Sequence, residues 1–313
     1  MPLDPIAASL LESMAAAMPP IETMTPREGR AASASLAKLL PVSTPRSTVA
    51  EHVVRGEDGD VRVRTYRPPS SGPLPAFVYI HGGGWVIGGE IEMFDSLCDE
   101  LACAAEGYRL APEHPFPTGL FDCLRATRWA REHADDLDIQ PGRVAIGGDS
   151  SGGNLTAALA LLARDQGDPP FCLQLLVYPP TDYTGDEAAY PSERAVPVLT
   201  PRGMAWYWRQ YAGTADPDDP YLSPLRAVDL NGLPPAVVIT AEYDVLRAEA
   251  DAYTVRLRDA GVAVTAVHYD DMFHGFFGFG GFLPQADAAV AEAVAALRKA
   301  FGADSLQATK GTT

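Results

Sequence analysis

Five short apolar runs, each followed in the chain by a stretch of helical character, limit the folds open to this sequence. They are P-A-F-V-Y-I-H (75–81), Arg143–Gly147, L-Q-L-L-V-Y-P (173–179), A-V-V-I-T-A (236–241) and V-A-V-T-A-V-H-Y (262–269). Helical patterning covers 90–105, 120–133, 153–164, 245–260 and 284–301, and Gly261 fits the position just past a helix end. Apolar strands alternating with helices imply parallel pairing, with helices on both faces of one sheet. The run before them, V-V-R-G-E-D-G-D-V-R-V-R-T-Y (53–66), has period two and a hairpin turn at Asp58-Gly59. Asp4 and Pro5 cap and open an N-terminal helix over 6–18, and a second is expected over 26–40.

The stretch from 183 to 223 breaks the alternation. It is rich in Pro, Asp and aromatic residues and holds one helix, capped by Thr200, opened by Pro201 and filled by M-A-W-Y-W-R-Q-Y. An excursion of that length between core strands reads as a cover over something.

Composition excludes several roles. The chain has 313 residues and is 47% hydrophobic, enough for a large core. Its formal charge of −17 repels phosphate backbones, so no nucleic-acid partner is expected. The four cysteines, Cys98, Cys103, Cys123 and Cys172, are too few and too irregular for a disulfide scaffold, which suits the cytoplasm. The N-terminus lacks the pattern of a secretory signal, and no apolar run spans a bilayer, so membrane insertion is not expected.

Chemistry enters at Gly148-Asp149-Ser150-Ser151-Gly152. This G-x-S-x-G follows a buried strand and precedes a helix, the setting that holds a serine in a strained turn with its hydroxyl exposed. A serine nucleophile needs a base, and the base an orienting acid. Of six histidines, His52 precedes the hairpin, His114 lies in a proline-constrained loop, and His133 and His268 read as surface or packed residues. His274, in D-M-F-H-G-F just past the last strand, reaches the same sheet edge as Ser150. Asp244 lies just beyond the strand 236–241, although it could simply cap the next helix. Ser150, Asp244, His274 is the nucleophile, acid, base order of α/β-hydrolases. The glycines of H-G-G-G-W (81–85) let backbone N–H groups face a substrate oxygen, so Gly83, Gly84 and the Ser151 N–H are the expected oxyanion donors. No phosphate-binding loop and no dinucleotide fingerprint are present.

H-G-G-G-W, Y-R-L-A-P-E-H-P-F-P (108–117), G-D-S-S-G-G-N (148–154), the late D-x-L-R and H-G-F together resemble the hormone-sensitive-lipase-like (bacterial family IV) carboxylesterases, with their GDSAG-type motif. The likeness runs from about residue 1 to 302. It implies an α/β-hydrolase core, a mostly parallel sheet with helices on both faces, under a helical cap. It implies a small-molecule ester as substrate, no metal, no organic cofactor and, by analogy, a homodimer. By this resemblance residues 1–48 and 183–223 form the cap, 49–182 and 224–304 the catalytic core, and 305–313 a disordered tail. His81 then braces the oxyanion loop, with Gly82 and Asp149 in support. Trp85, Met204, Trp206, Tyr207, Trp208 and Tyr211 are candidates for a covered acyl pocket, suited to short or medium chains, although helical spacing sends some of them into the core.

Three departures stand out. Ser151 replaces the usual alanine, and Val245 the usual proline after the acid. The apolar strand expected before Tyr108 is missing, because E-L-A-C-A-A-E-G runs straight into it. Roughly 5–6 residues, one strand's worth, are absent. Either helix residues unwind to fill the place or the sequence lacks a stretch of the molecule, and the second is the expectation. An amidase or lactonase would use the same machinery. A receptor on this fold would lack the catalytic histidine, which His274 supplies here.

Overall fold

The computed structural model describes residues 1–37 and 45–302. The tail 305–313 and the expected end of the second helix past Ala37 lie outside the described residues. One eight-stranded sheet organises the chain: β1 (Thr48–Val54), β2 (Val61–Arg67), β3 (Leu74–Ile80), β4 (Ala104–Gly107), β5 (Ile139–Asp149), β6 (Gln174–Val177), β7 (Ala236–Tyr243) and β8 (Val264–Phe273). Their order is β1-β2-β4-β3-β5-β6-β7-β8. The hairpin β1–β2 and the pair β2–β4 are antiparallel, and every other neighbouring pair is parallel.

The parallel strands are apolar on both sides because both sides are covered. Alternate residues sort into two cores. Val78, Ile80, Val144, Ile146, Leu176 and Val238 face one core, with α4 (Thr118–Glu132), α6 (Ser151–Asp165) and α8 (Arg247–Asp259). Phe77, Tyr79, Ala145, Leu175, Val177 and Ile239 face the other, with α1 (Pro5–Ala17), α3 (Asp95–Leu101) and α9 (Pro284–Ala300). Helix α6 is buried from Ser151 to Ala163, so its Ala and Leu residues pack on all sides. Leu159, fully buried there, would cost about 2–5 kcal/mol as alanine. The remaining helices are α2 (Pro26–Ala37), α5 (Ala134–Leu137) and α7 (Pro201–Ala212). As expected, Asp4 caps α1 through the amides of Ile6 and Ala7, and the Thr200 hydroxyl caps α7 through the Gly203 amide. No helix among the described residues is long and apolar enough to cross a membrane.

The segment 90–107 corrects one expectation. A 3₁₀ turn (Ile91–Phe94) and α3 end at Ala102, whose φ of 48° is left-handed, and the chain then straightens into β4. Helix patterning to 105 therefore overshoots. Ala104–Gly107 take the lane of the absent strand. The cause is the ladder: β2 and β3 flank an empty lane, and Ala104–Gly107 supplies partners for Arg62–Thr65 and Val78–Ile80. Tertiary demand overrides the helix propensity of an alanine-rich run. The replacement is short. Leu74–Phe77 of β3 have no β4 partner, and the side chain of Glu106 is carried into the interior.

Candidate active site

The sheet delivers its polar residues at the C-terminal ends of β3, β5, β7 and β8. Strand β5 ends at Asp149, and Ser150 makes the turn into α6 with φ 52° and ψ −122°. A non-glycine residue in that region is strained. The glycines beside it answer a packing need, since a Cβ on Gly148 or Gly152 would collide with the Ile80 carbonyl of β3. The Ser150 amide donates to the Val177 carbonyl at 2.9 Å, fixing the bend to β6.

The Ser150 hydroxyl lies 2.9 Å from His274 Nε2, and His274 Nδ1 lies 2.8 Å from Asp244 Oδ2. Asp244 is 1% exposed and His274 7%. Each has a second anchor: Asp244 Oδ1 accepts the Leu246 amide at 2.8 Å, and the His274 amide donates to Tyr243 O at 3.1 Å. Tyr178, itself held at φ 37°, sets its ring 4.6 Å from the imidazole. A hydroxyl, an imidazole and a buried carboxylate in this series can take a proton from the serine and stabilise the imidazolium that forms.

Gly83 (φ 117°) and Gly84 (φ 59°) occupy conformations that favour glycine, and with Ser151 they border the cavity that holds Ser150 and His274. Beneath them, Asp149 Oδ1 accepts the Gly82 amide at 3.0 Å and the Tyr79 hydroxyl at 2.6 Å. Burial pushes the Asp149 carboxyl above the usual range. His81 donates from Nδ1 to the Gly82 carbonyl at 2.6 Å. Its ring is stacked between Phe94 and Tyr108, 5.2 and 4.4 Å away, and burial lowers its pKa to about 4. It is a neutral brace. The Tyr108 hydroxyl closes the bracing by donating to His81 O at 3.2 Å.

The cavity over Ser150 measures about 210 Å³. Met14 and Met18 beside α1, Leu36 of α2, Met204 and Tyr207 of α7, and Phe279 line it. Trp85, Met204 and Tyr207 border it. Trp206, Trp208 and Tyr211 are not among its lining residues and fall to the core, the other place helical spacing allows. Trp208 and Tyr211 pack on Trp85, the latter parallel to it at 4.4 Å, and Trp208 Nε1 donates to the Tyr190 hydroxyl at 2.9 Å. Trp206 is 6% exposed and belongs to the core beside them. Trp208 and Tyr211 are held by packing on Trp85, and the i, i+3 pair Met204 and Tyr207 lines the cavity.

The other histidines stay apart from this site. His52 meets the Thr65 hydroxyl, His133 the Trp129 carbonyl, and His268 the Thr240 hydroxyl. Glu242, His268 and Asp270 cluster closely enough to suggest a metal site. Arg194 and Arg247 already pair with Glu242, however, so its charge is compensated without a cation. The supporting tyrosines Tyr79, Tyr108 and Tyr178 were not anticipated from sequence. The signal available was their adjacency to H-G-G-G, R-L-A-P-E and P-P.

The chain is similar to several known hydrolases. A sequence profile described as α/β hydrolase fold matches residues 77–278. Carboxylesterase NlhH of Mycobacterium tuberculosis is 37% identical over 317 aligned positions, covering 96% of this chain and 97% of that protein. Carboxylic ester hydrolase LipN of the same organism is 40% identical over 261, covering 79% and 69%. An ester hydrolase from the metagenome of Lake Arreo, solved with a bipyridine phosphonate derivative, superposes with a TM-score of 0.89 at 39% identity, covering 96% and 99%. A hyperthermophilic esterase from the archaeon Pyrobaculum calidifontis gives 0.86 at 37% identity, with the same coverage.

Proposed function

The chain belongs to the α/β-hydrolase family, on its hormone-sensitive-lipase-like branch, and from that premise we propose that it hydrolyses small carboxylic esters through an acyl-enzyme formed on Ser150. The enzyme is a carboxylic ester hydrolase. The observation that carries the residue assignment is the unbroken series from the Ser150 hydroxyl through His274 to Asp244, with contacts of 2.9 and 2.8 Å.

Ser150 Oγ attacks the acyl carbon as His274 Nε2 takes its proton. Asp244 holds Nδ1–H and so fixes the tautomer and stabilises the imidazolium. The carbonyl oxygen becomes an oxyanion facing the amides of Gly83, Gly84 and Ser151, near the positive end of α6. Collapse of the tetrahedral intermediate expels the alcohol, which leaves with the proton held by His274. Water, deprotonated by the same nitrogen, then attacks the acyl-enzyme and releases the acid. A complete series of this kind speaks against a binding-only receptor.

The acyl group lies in the cavity of about 210 Å³, whose apolar walls favour short or medium chains. Residues 1–48 and 183–223 act as the cap that roofs it over the core formed by 49–182 and 224–304. Four free thiols, three of them buried, support a cytoplasmic setting, and the edge position of β8 supports pairing with a second copy.

The test is Ser150→Ala assayed on p-nitrophenyl esters of increasing length, alongside labelling by a fluorophosphonate. Turnover should fall by about 10³-fold or more with the fold intact by circular dichroism, and labelling should stop. Wild-type turnover in the variant would overturn the assignment.

A further inference from the structure

A second cavity of about 210 Å³ lies where β4 falls short. Because Ala104 begins the strand opposite Val78, the lane between the start of β3 and the end of β2 is open. Val63, Ala76, Val78, Ala126 and Trp129 wall this space, and it shares no residue with the cavity at Ser150. An apolar cavity of roughly 150 Å³ already accepts a benzene ring.

One group in this wall is out of keeping with the rest. Glu106 is 1% exposed, and neither carboxyl oxygen makes a hydrogen bond of normal geometry. The neighbouring Cys123 thiol is at most a weak donor, and burial keeps it protonated. The nearby cations are committed elsewhere: Arg109 and Arg125 both bind Asp122, and Arg67 binds Asp138. His52 at the same wall is engaged by Thr65. At the rim stands a second acid, the exposed Asp136. The site therefore has apolar walls and a buried carboxyl with no counter-charge. A cation with an apolar body supplies what is missing, because a buried carboxylate is stabilised by pairing.

We propose that this cavity is a second ligand site, which takes a small apolar primary amine whose ammonium group pairs with Glu106 and whose body lies between β2, β3 and α4. It stands independently of the ester-hydrolase assignment.

The experiment is calorimetric titration with benzylamine, and with toluene as the uncharged control, on enzyme whose Ser150 has first been blocked by a phosphonate. Saturable one-to-one binding of benzylamine to the blocked enzyme is expected, with a change in tryptophan fluorescence from Trp129. Glu106→Gln should weaken the amine about 10- to 100-fold and leave toluene unchanged, as loss of one charged hydrogen bond requires. Ala130→Leu, which fills the cavity from α4, should abolish binding of both. The proposal is overturned if benzylamine does not bind at millimolar concentration, if Glu106→Gln binds it as tightly as wild type, or if blocking Ser150 removes the binding.

Discussion

The Gly82 amide donates to Asp149 Oδ1 at 3.0 Å, so the residue that precedes Ser150 also fixes the glycine loop across from it. The two halves of the site are set by one half-buried carboxyl, whose same oxygen also accepts the Tyr79 hydroxyl at 2.6 Å. Ser150 and the loop of Gly83 and Gly84 cannot drift apart without breaking this link. Loss of Asp149 should therefore mimic loss of an oxyanion donor. Asp149→Ala is expected to lower kcat about 100-fold with KM little changed, and Asp149→Asn, which keeps one acceptor oxygen, should restore much of it. Steady-state kinetics on one aryl ester decides; an unchanged kcat in the alanine variant would show that the loop is held by something else.

How much of this was legible beforehand follows from where each constraint acts. The serine was readable because its requirement is local: strand and helix must meet closely around it, and Gly148 and Gly152 are the record of that contact with Ile80. Asp244 and His274 were readable from their place after strands and their order in the chain. Strand β4 was not, because A-A-E-G has no β-branched or aromatic residue and becomes a strand through its neighbours' unpaired ladder groups. Nor could sequence sort α7. Residues on both of its faces are large and apolar, so helical spacing could not say that Met204 and Tyr207 meet the cavity while Trp206, Trp208 and Tyr211 meet the core.

That division of α7 makes a paired prediction. Met204→Ala removes a flexible side chain from the cavity wall and leaves room for a longer acyl chain. Its rate profile across p-nitrophenyl esters should move toward longer chains by about two carbons, since each buried methylene contributes about 0.8 kcal/mol. Trp208→Ala leaves the cavity lining intact but empties the core around Trp85, at a cost of about 3–5 kcal/mol of stability. Its chain-length optimum should match wild type. A shifted optimum in Trp208→Ala, or none in Met204→Ala, would contradict the placement.

The unpartnered carboxyl of Glu106 sets up a stabilising substitution. Burial raises its pKa well above 4.5, so the folded protein keeps a proton that the unfolded chain releases once the pH exceeds 4.5. The unfolded state binds fewer protons, and this group costs more stability as pH rises from 4.5 toward the folded-state value. Glu106→Leu removes the cost and should raise stability at pH 7 by about 1–3 kcal/mol, with a smaller gain at pH 5. Urea unfolding at the two pH values measures it. A loss of stability at pH 7 would mean that Glu106 has a partner in solution.

His81 works in the opposite direction. Buried between Phe94 and Tyr108, it is held neutral with a pKa of about 4 instead of 6.5. The unfolded chain takes up a proton at this residue below pH 6.5, and the folded chain does so only near pH 4. Stability from this histidine is therefore complete above pH 6.5 and drains away as the pH falls to 4, by about 3 kcal/mol for a shift of this size. His81→Gln has no such proton to take up. Its stability at pH 7 should be lower, because the Gly82 carbonyl loses a well-placed donor and two rings lose a stacking partner. Between pH 7 and pH 4.5 the gap between variant and wild type should narrow. Thermal unfolding across that range reads the gap directly. A gap that stays constant would show that His81 titrates as freely in the folded protein as in the unfolded chain, and that its ring is open to solvent.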